Sequence, residues 1–269
     1  MSVTPQRLRQ ILLEDARSLP PTQVDDWRAR HSNEIPQTFA MISKPGNRGI
    51  HGNSSITLYA TTEILTDFPG LVECLKAFLG SYFQVPVSAL RALSIDDLKL
   101  NDRRGQQVRT TALLQQVGAQ CDKSEKRLIL TSYDLFPNEN RYKFVFGEAD
   151  YLESKAVVSL FRYDLQPHSP LCGISLTRVL KVTSHEIGHL FALEHCLSHP
   201  CNMNGKNHTD ELDLHPLELC GDCVAKWVWF SSPDVRKRFV DLQTFYGKYN
   251  LLAEQGCVSR RITLLNHAA

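Results

Sequence analysis

His185 and His189 are separated by three residues, and Glu186 directly follows the first of them. On an α-helix, residues four apart lie about 40° apart around the axis and one turn up, so both imidazoles can reach one metal ion. Glu186 projects beside them, where a carboxylate can take a proton from a water without itself ligating. By chance alone, H-E-x-x-H arises in roughly one chain in fifty of this length. His195 follows six residues after His189. That is too far along to share the helical face, so the helix must end and the chain turn back for His195 to join the pair. Three neutral imidazoles leave one tetrahedral position for water, which is the open, catalytic type of zinc site. The alternative is a surface helix whose His and Glu simply face solvent.

A second set of donors follows at once. Cys196 and Cys201 are four intervening residues apart, and Cys220-Gly221-Asp222-Cys223 is a C-x-x-C. Four thiolates fit a closed tetrahedral zinc with no place for water, a structural staple between the loop after the first helix and the next helix. A redox C-x-x-C would leave Cys196 and Cys201 without a role. A nucleic-acid zinc ribbon would need a basic surface. Between the two pairs, however, Asp210, Glu211, Asp213 and Glu218 stand against Lys206. Cys74, Cys121, Cys172 and Cys257 are scattered and read as small buried hydrophobes. Two zinc ions per chain are therefore expected, one catalytic and one structural.

These residues need elements to hold them. Leu176, Val179, Leu180, Val182, Ile187 and Leu190 recur at helical spacing, so the histidine pair belongs on a helix beginning near Ser175. Strands are predicted at 56–61, 127–131, 143–146 and 156–161, with helices at Thr4-Pro5, along Leu71–Leu79 and around Leu113. Residues 31–55 read as loop. The stretch from Pro216 to about Phe230 reads as helical, and Ser232-Pro233 as a further helix start. Helices alternating with strands up to about residue 165 predict an α/β (α+β) class with a mixed, mostly parallel twisted sheet. A mainly helical region carrying the cysteine site follows. The expected division is an extension at 1–50, an α/β subdomain with the active-site helix at 51–195, and a C-terminal subdomain at 196–269.

Composition narrows the function. The chain has 269 residues, 30 Lys+Arg and 29 Asp+Glu, with 42% hydrophobic and 22% charged residues. That suits a folded globular protein. A net charge of +1 gives no general pull toward nucleic acid or anionic membrane. No apolar run approaches the ~20 residues that span a bilayer. The first twenty residues interleave Arg7, Arg9, Glu14, Asp15 and Arg17 with their few apolar ones, unlike a secretory leader. The expected location is intracellular, cytoplasmic or nuclear.

The run His185-Glu186-x-x-His189-x5-His195-Cys196-x4-Cys201-x-Met203, with Cys220-x-x-Cys223 beyond it, resembles the archaemetzincins, a branch of the metzincin zinc metallopeptidases. The similarity extends through Tyr133–Pro137, Phe144–Ala149 and Val157–Leu160. The resemblance implies a metzincin-like catalytic domain, with Met203 as the Met-turn residue beneath the histidine site. It also implies that the strand containing Val157, Val158, Ser159 and Leu160 is the edge strand that pairs with an extended peptide; an ordinary buried strand is the alternative. Metzincins usually place Gly three residues after the second histidine, where the chain needs φ > 0. Here that residue is Ala192.

The expected function is zinc-dependent hydrolysis of peptide bonds, with Glu186 as base, on short peptides or as an aminopeptidase. Phe136, Tyr142 and Phe161 are candidate subsite walls. A zinc-stabilised binding protein with weak catalysis is the alternative that Ala192 motivates. Expected partners are peptide or protein substrates, without nucleic acid or membrane, and the residues set no oligomeric state.

Overall fold

Ile56, Leu58 and Ala60 turn inward along one strand, while Leu128, Ile129 and Leu130 are buried in succession on another. The first pattern marks a strand with one face packed. The second marks an interior strand covered on both faces, as parallel sheets require. The computed structural model describes residues 3–14, 18–44, 54–96, 102–118, 124–138 and 142–268. Residues 45–53 of the expected loop, and Cys121, lie outside them.

The chain begins with α1 (Pro5–Leu13), α2 (Trp27–Arg30) and α3 (Phe39–Ile42). Next come β1 (Ser55–Thr61), α4 (Thr62–Asp67), α5 (Leu71–Phe83), β2 (Val87–Leu93), β3 (Arg103–Arg104) and β4 (Gln107–Arg109). They are followed by α6 (Thr110–Gln116), β5 (Glu125–Thr131), β6 (Asp134–Phe136), β7 (Gly147–Asp150), β8 (Lys155–Ser159) and α7 (Gly173–Leu190). The last elements are α8 (Thr209–Leu214), α9 (Gly221–Ser231), α10 (Val235–Lys248) and α11 (Leu252–His267). Two units divide the chain. One holds 52–80 and 85–190; the other holds 1–51, 81–84 and 191–269.

The first unit is built on a five-stranded sheet in the order β2-β1-β5-β8-β7. Its first four strands are parallel, and β7 runs antiparallel to β8. A small sheet, β3-β4-β6, accompanies it. Ile95, Val108, Leu113, Leu114, Ile129, Leu135 and Val157 form a core between α6 and the strands. The residues expected as an edge strand are not one. Val157 and Val158 pair with Ile129 and Leu130 on one side and with Glu148 and Gly147 on the other, and Ser159 pairs with Thr131. All five residues of β8 are buried, and Leu160 lies just past its end. The antiparallel strand β7 covers β8 and is itself the edge among the described residues. The expected strand at 143–146 is also displaced. Among the described residues only Val145 bridges there, to Leu135, while the Phe146 carbonyl accepts from Ser159 N at 2.9 Å and the two phenylalanine rings pack on Arg162 and Tyr163.

The second unit is helical. Thr4 caps α1 through its hydroxyl, and Pro5 opens the helix. Leu12 and Leu13 lie so close to Gly221 that a Cβ there would meet them at 3.0–3.1 Å. Helix α9 begins only after Cys220, not at Pro216, and Asp234 rather than Ser232 caps α10. Ser232 is the left-handed residue that ends α9. Glu218 accepts bonds from Arg238 (2.9 Å) and Tyr246 (2.7 Å) in the buried centre. Burial raises the Glu218 carboxyl, but Arg238 and Arg261 outweigh it and hold it below its usual range. No described helix is long and apolar enough to cross a membrane.

Candidate metal centres

In the sheet unit, α7 is buried on nearly every side, which is unusual for a helix carrying Lys, Glu and His. Thr183 and Ser184 satisfy their hydroxyls on the carbonyls of Val179 and Leu180, each at 2.6 Å. His185 is buried and His189 half-buried. Their Nε2 atoms are 3.1 Å apart, with the rings at 88°. Tetrahedral zinc–imidazole bonds of 2.0–2.1 Å require donors about 3.3 Å apart, so this pair fits one zinc ion. The solvent-facing surface helix is therefore excluded for the pair.

Glu186 is buried beside them, held from the edge strand. A Cβ on Gly147, the first residue of β7, would lie 2.7 Å from Glu186 Cγ and 2.8 Å from Oε1. Only glycine lets β7 approach this closely. The sequence signal was present in Phe146-Gly147-Glu148 but carried no reason for the glycine. Tyr163 is fully buried nearby. Burial first, then the Glu186 charge, pushes its phenol well above the ordinary range.

Asp134 anchors the segment leading to β7. It accepts from Arg162 Nε at 2.9 Å and Nη2 at 2.6 Å, and the Arg162 guanidinium lies 3.6 Å from the centre of the Phe144 ring. Of the expected subsite walls, Phe136 is buried beneath Arg104 and Arg109 and is a core residue. Tyr142 is half-buried and Phe161 exposed.

The helical unit takes over at Phe191. Ala192 has φ +63°, the left-handed conformation that glycine adopts without a Cβ penalty. Its methyl packs against the cluster of Phe39, Ile42, Ala225 and Phe230. Burying a methyl contributes about 0.8 kcal/mol. The left-handed alanine costs about 1 kcal/mol, so the two nearly cancel. Gln37 grips the turn at both ends. Its amide donates to the Ala192 carbonyl at 2.9 Å and accepts from the Glu194 N–H at 3.4 Å. His195 follows, half-buried, with Nδ1 2.7 Å from Glu34 Oε1. Glu34 and Gln37 gave no sign of this in the sequence.

Cys196, Cys201, Cys220 and Cys223 are all buried, with their sulfurs within 4.8 Å of one another. Cys196 and Cys220 sulfurs are 3.7 Å apart. Zinc–thiolate bonds of 2.3 Å set a tetrahedral edge of about 3.8 Å, so the four fit a closed zinc site. The N–H groups of Met203 (3.4 Å) and Cys220 (3.2 Å) point at the Cys201 sulfur, an arrangement that favours a thiolate. Hydrogen bonds from Cys201, Cys220 and Cys223 push the Cys196 thiol down, while burial first pushes Cys201 up. Asn204 ties the loop, accepting from Cys201 N at 2.7 Å and donating to the carbonyls of Cys196 (2.5 Å) and His199 (3.0 Å). Met203 is fully buried, and its carbonyl accepts from Cys196 N at 2.8 Å. Of the scattered cysteines, Cys74 is buried as expected, Cys257 is half-buried, and Cys172 is exposed. Cys172 lies in the irregular stretch before α7, where no described element covers it.

A third donor group, Asp26, His208 and Glu211, already spends its donor atoms on the chain. Glu211 accepts from Trp27 N (2.9 Å) and Asn207 N (2.7 Å), and His208 Nδ1 caps α8 at Glu211 N (3.2 Å). Asp26 takes Gln23 N (2.6 Å) and His208 Nε2 (3.2 Å). Burial, the largest influence, raises the Glu211 carboxyl.

Residues 121–228 match the family model described as Peptidase family M54. The chain is 30% identical to archaemetzincin of Archaeoglobus fulgidus, covering 58% of this chain and 89% of that one. It is 26% identical to archaemetzincin-2 of Homo sapiens, covering 75% of this chain and 66% of the relative. It thus spans about two thirds of the length of the archaemetzincin-2 relatives it matches. Among solved structures, archaemetzincin of Methanopyrus kandleri is similar at TM-score 0.52 and 27% identity, covering 69% of this chain and 96% of that one. Archaemetzincin of A. fulgidus complexed with malonate is similar at TM-score 0.52 and 26% identity, covering 64% and 99%.

Proposed function

The chain belongs to the archaemetzincin family, and we propose that it is a zinc metallopeptidase whose catalytic ion is held by His185, His189 and His195. The observation that carries this reading is the 3.1 Å imidazole pair on α7 with Glu186 locked beside it by Gly147. His195 is six residues beyond His189, just past the left-handed turn at Ala192, and a carboxylate orients its ring. A zinc ion there supplies a lowered pKa for water and polarises the peptide carbonyl. Glu186 accepts the proton of the attacking water as the new C–O bond forms. It returns that proton to the amine nitrogen as the C–N bond breaks. The four cysteines hold a second, structural ion, giving two per chain. Met203 is read as the Met-turn residue, supported by its complete burial two residues after Cys201.

The substrate is a peptide or protein. With β8 enclosed, the edge strand for an extended peptide is β7, whose first residue abuts Glu186. Adding a strand there supplies main-chain hydrogen bonds without strong sequence preference. Short peptides or free N-termini are supported by the family resemblance alone.

The test is Glu186→Gln on a peptide library. A loss of at least about a hundredfold in kcat, with zinc content unchanged, is expected for removal of a general base. A variant that stays fully active would remove Glu186 from the mechanism.

A further inference from the structure

Residues 26–42 lie outside the stretch matched by the family model, yet several of their side chains converge on the turn at 192–195. We infer that this N-terminal segment positions His195 for zinc, with Glu34 as its carboxylate partner; this rests on the reading of His195 as a ligand. An imidazole nitrogen facing a carboxylate at 2.7 Å carries the proton, which puts the ring's lone pair on Nε2. Metal-binding histidines commonly donate their second nitrogen to such a carboxylate, which fixes tautomer and ring angle.

Glu34 is itself held. Its other oxygen accepts the Trp27 indole N–H at 2.7 Å. The Trp27 ring meets the His195 ring edge-on at 4.6 Å and stacks on His31 at 3.7 Å. Trp27 is anchored in turn by its N–H to Glu211 at 2.9 Å. Its ring presses on Gly205, where a Cβ would fall 2.3–2.4 Å from ring atoms. Together with Gln37 on Ala192 and Glu194, these contacts fix both the turn and the ring that follows it. An alternative to the family's usual glycine is thereby supported from a distant part of the chain. Trp27, Glu34 and Gln37 are positioning residues.

The test uses the full chain and competition with a chromogenic zinc chelator, which separates a weaker histidine ion from a tighter cysteine ion. Glu34→Ala and Glu34→Gln should each weaken the histidine ion 10- to 100-fold, because His195 and Trp27 face different carboxylate oxygens, alanine removes both and glutamine replaces one with an NH2 that only donates. Trp27→Phe, which keeps an apolar ring but loses the indole donor, should weaken it several-fold. The cysteine ion should stay bound in all three, and the melting temperature of the protein stripped to one zinc should be unchanged. His195→Ala is measured alongside. If it binds the histidine ion with wild-type affinity, the reading of His195 as a ligand fails. If His195→Ala loses the ion but both Glu34 variants keep wild-type affinity, that reading stands and the positioning role is overturned. Loss of both ions together, or a lowered melting temperature in the one-zinc protein, would make Glu34 a folding residue and also overturn the inference.

Discussion

The histidine pair and the cysteine cluster are made from different materials. His185 and His189 stand on consecutive turns of α7, a regular helix buried along most of its length. The cysteines come from the loop at 196–201, the residue before α9 and its third residue. Backbone hydrogen bonds and core packing set the helix geometry, which puts its two imidazoles on one face, one turn apart. The loop has little core of its own. Asn204 and the N–H bonds to Cys201 hold it, together with the ion proposed for the four sulfurs. One centre is therefore chemistry placed on structure, and the other is structure made by chemistry.

The largest effect should come from breaking the second kind of centre. Cys220→Ser removes one thiolate from the proposed structural site, and a structural zinc is worth about 10–16 kcal/mol in zinc-finger peptides. The variant should melt far below wild type or fail to fold, as followed by circular dichroism. A variant that melts normally and only loses catalysis would erase the contrast. Next comes the helix centre. In Gly147→Ala the new Cβ meets Glu186 Cγ at 2.7 Å and the Val157 carbonyl oxygen of β8 at 2.8 Å, and the flexible Glu186 side chain is expected to give way before the backbone. A misplacement of about 1 Å costs on the order of a hundredfold in rate, so kcat should fall 10- to 100-fold with both zinc ions retained. Unchanged kcat would mean that Glu186 tolerates the shift. The smallest effect belongs to Ala192→Gly. Relief of the left-handed strain is offset by the lost methyl contact and added chain freedom, so stability should change by less than about 1 kcal/mol in denaturant titration. A larger loss would show that the methyl contact dominates, and a larger gain that the strain does.

The same contrast explains what could be read in advance. The α7 stripe and H-E-x-x-H are local, repeating every turn, and all six predicted apolar positions are buried. The cysteine cluster was legible from composition, since soft donors are rare and four fell together. The edge of the sheet was not legible. Gly147-Glu148-Ala149-Asp150 lacks a strand's apolar residues and is a strand only because β8 lies beside it. Val157–Leu160 looked equally suited to an edge or an interior, and only pairing decides between them. Helix α11 was missed because just Val258 and Leu265 are buried along it. Glu34 was invisible for a simpler reason: it meets His195 across 161 residues of sequence.

Zinc per chain, measured by elemental analysis on wild type and His189→Ala together, tests the central claim most directly. Two ions in the wild type falling to one in the variant, with the fold intact, is the predicted result. One ion in both proteins would contradict it, leaving the cysteines as the only tight site and the histidines without a resident metal.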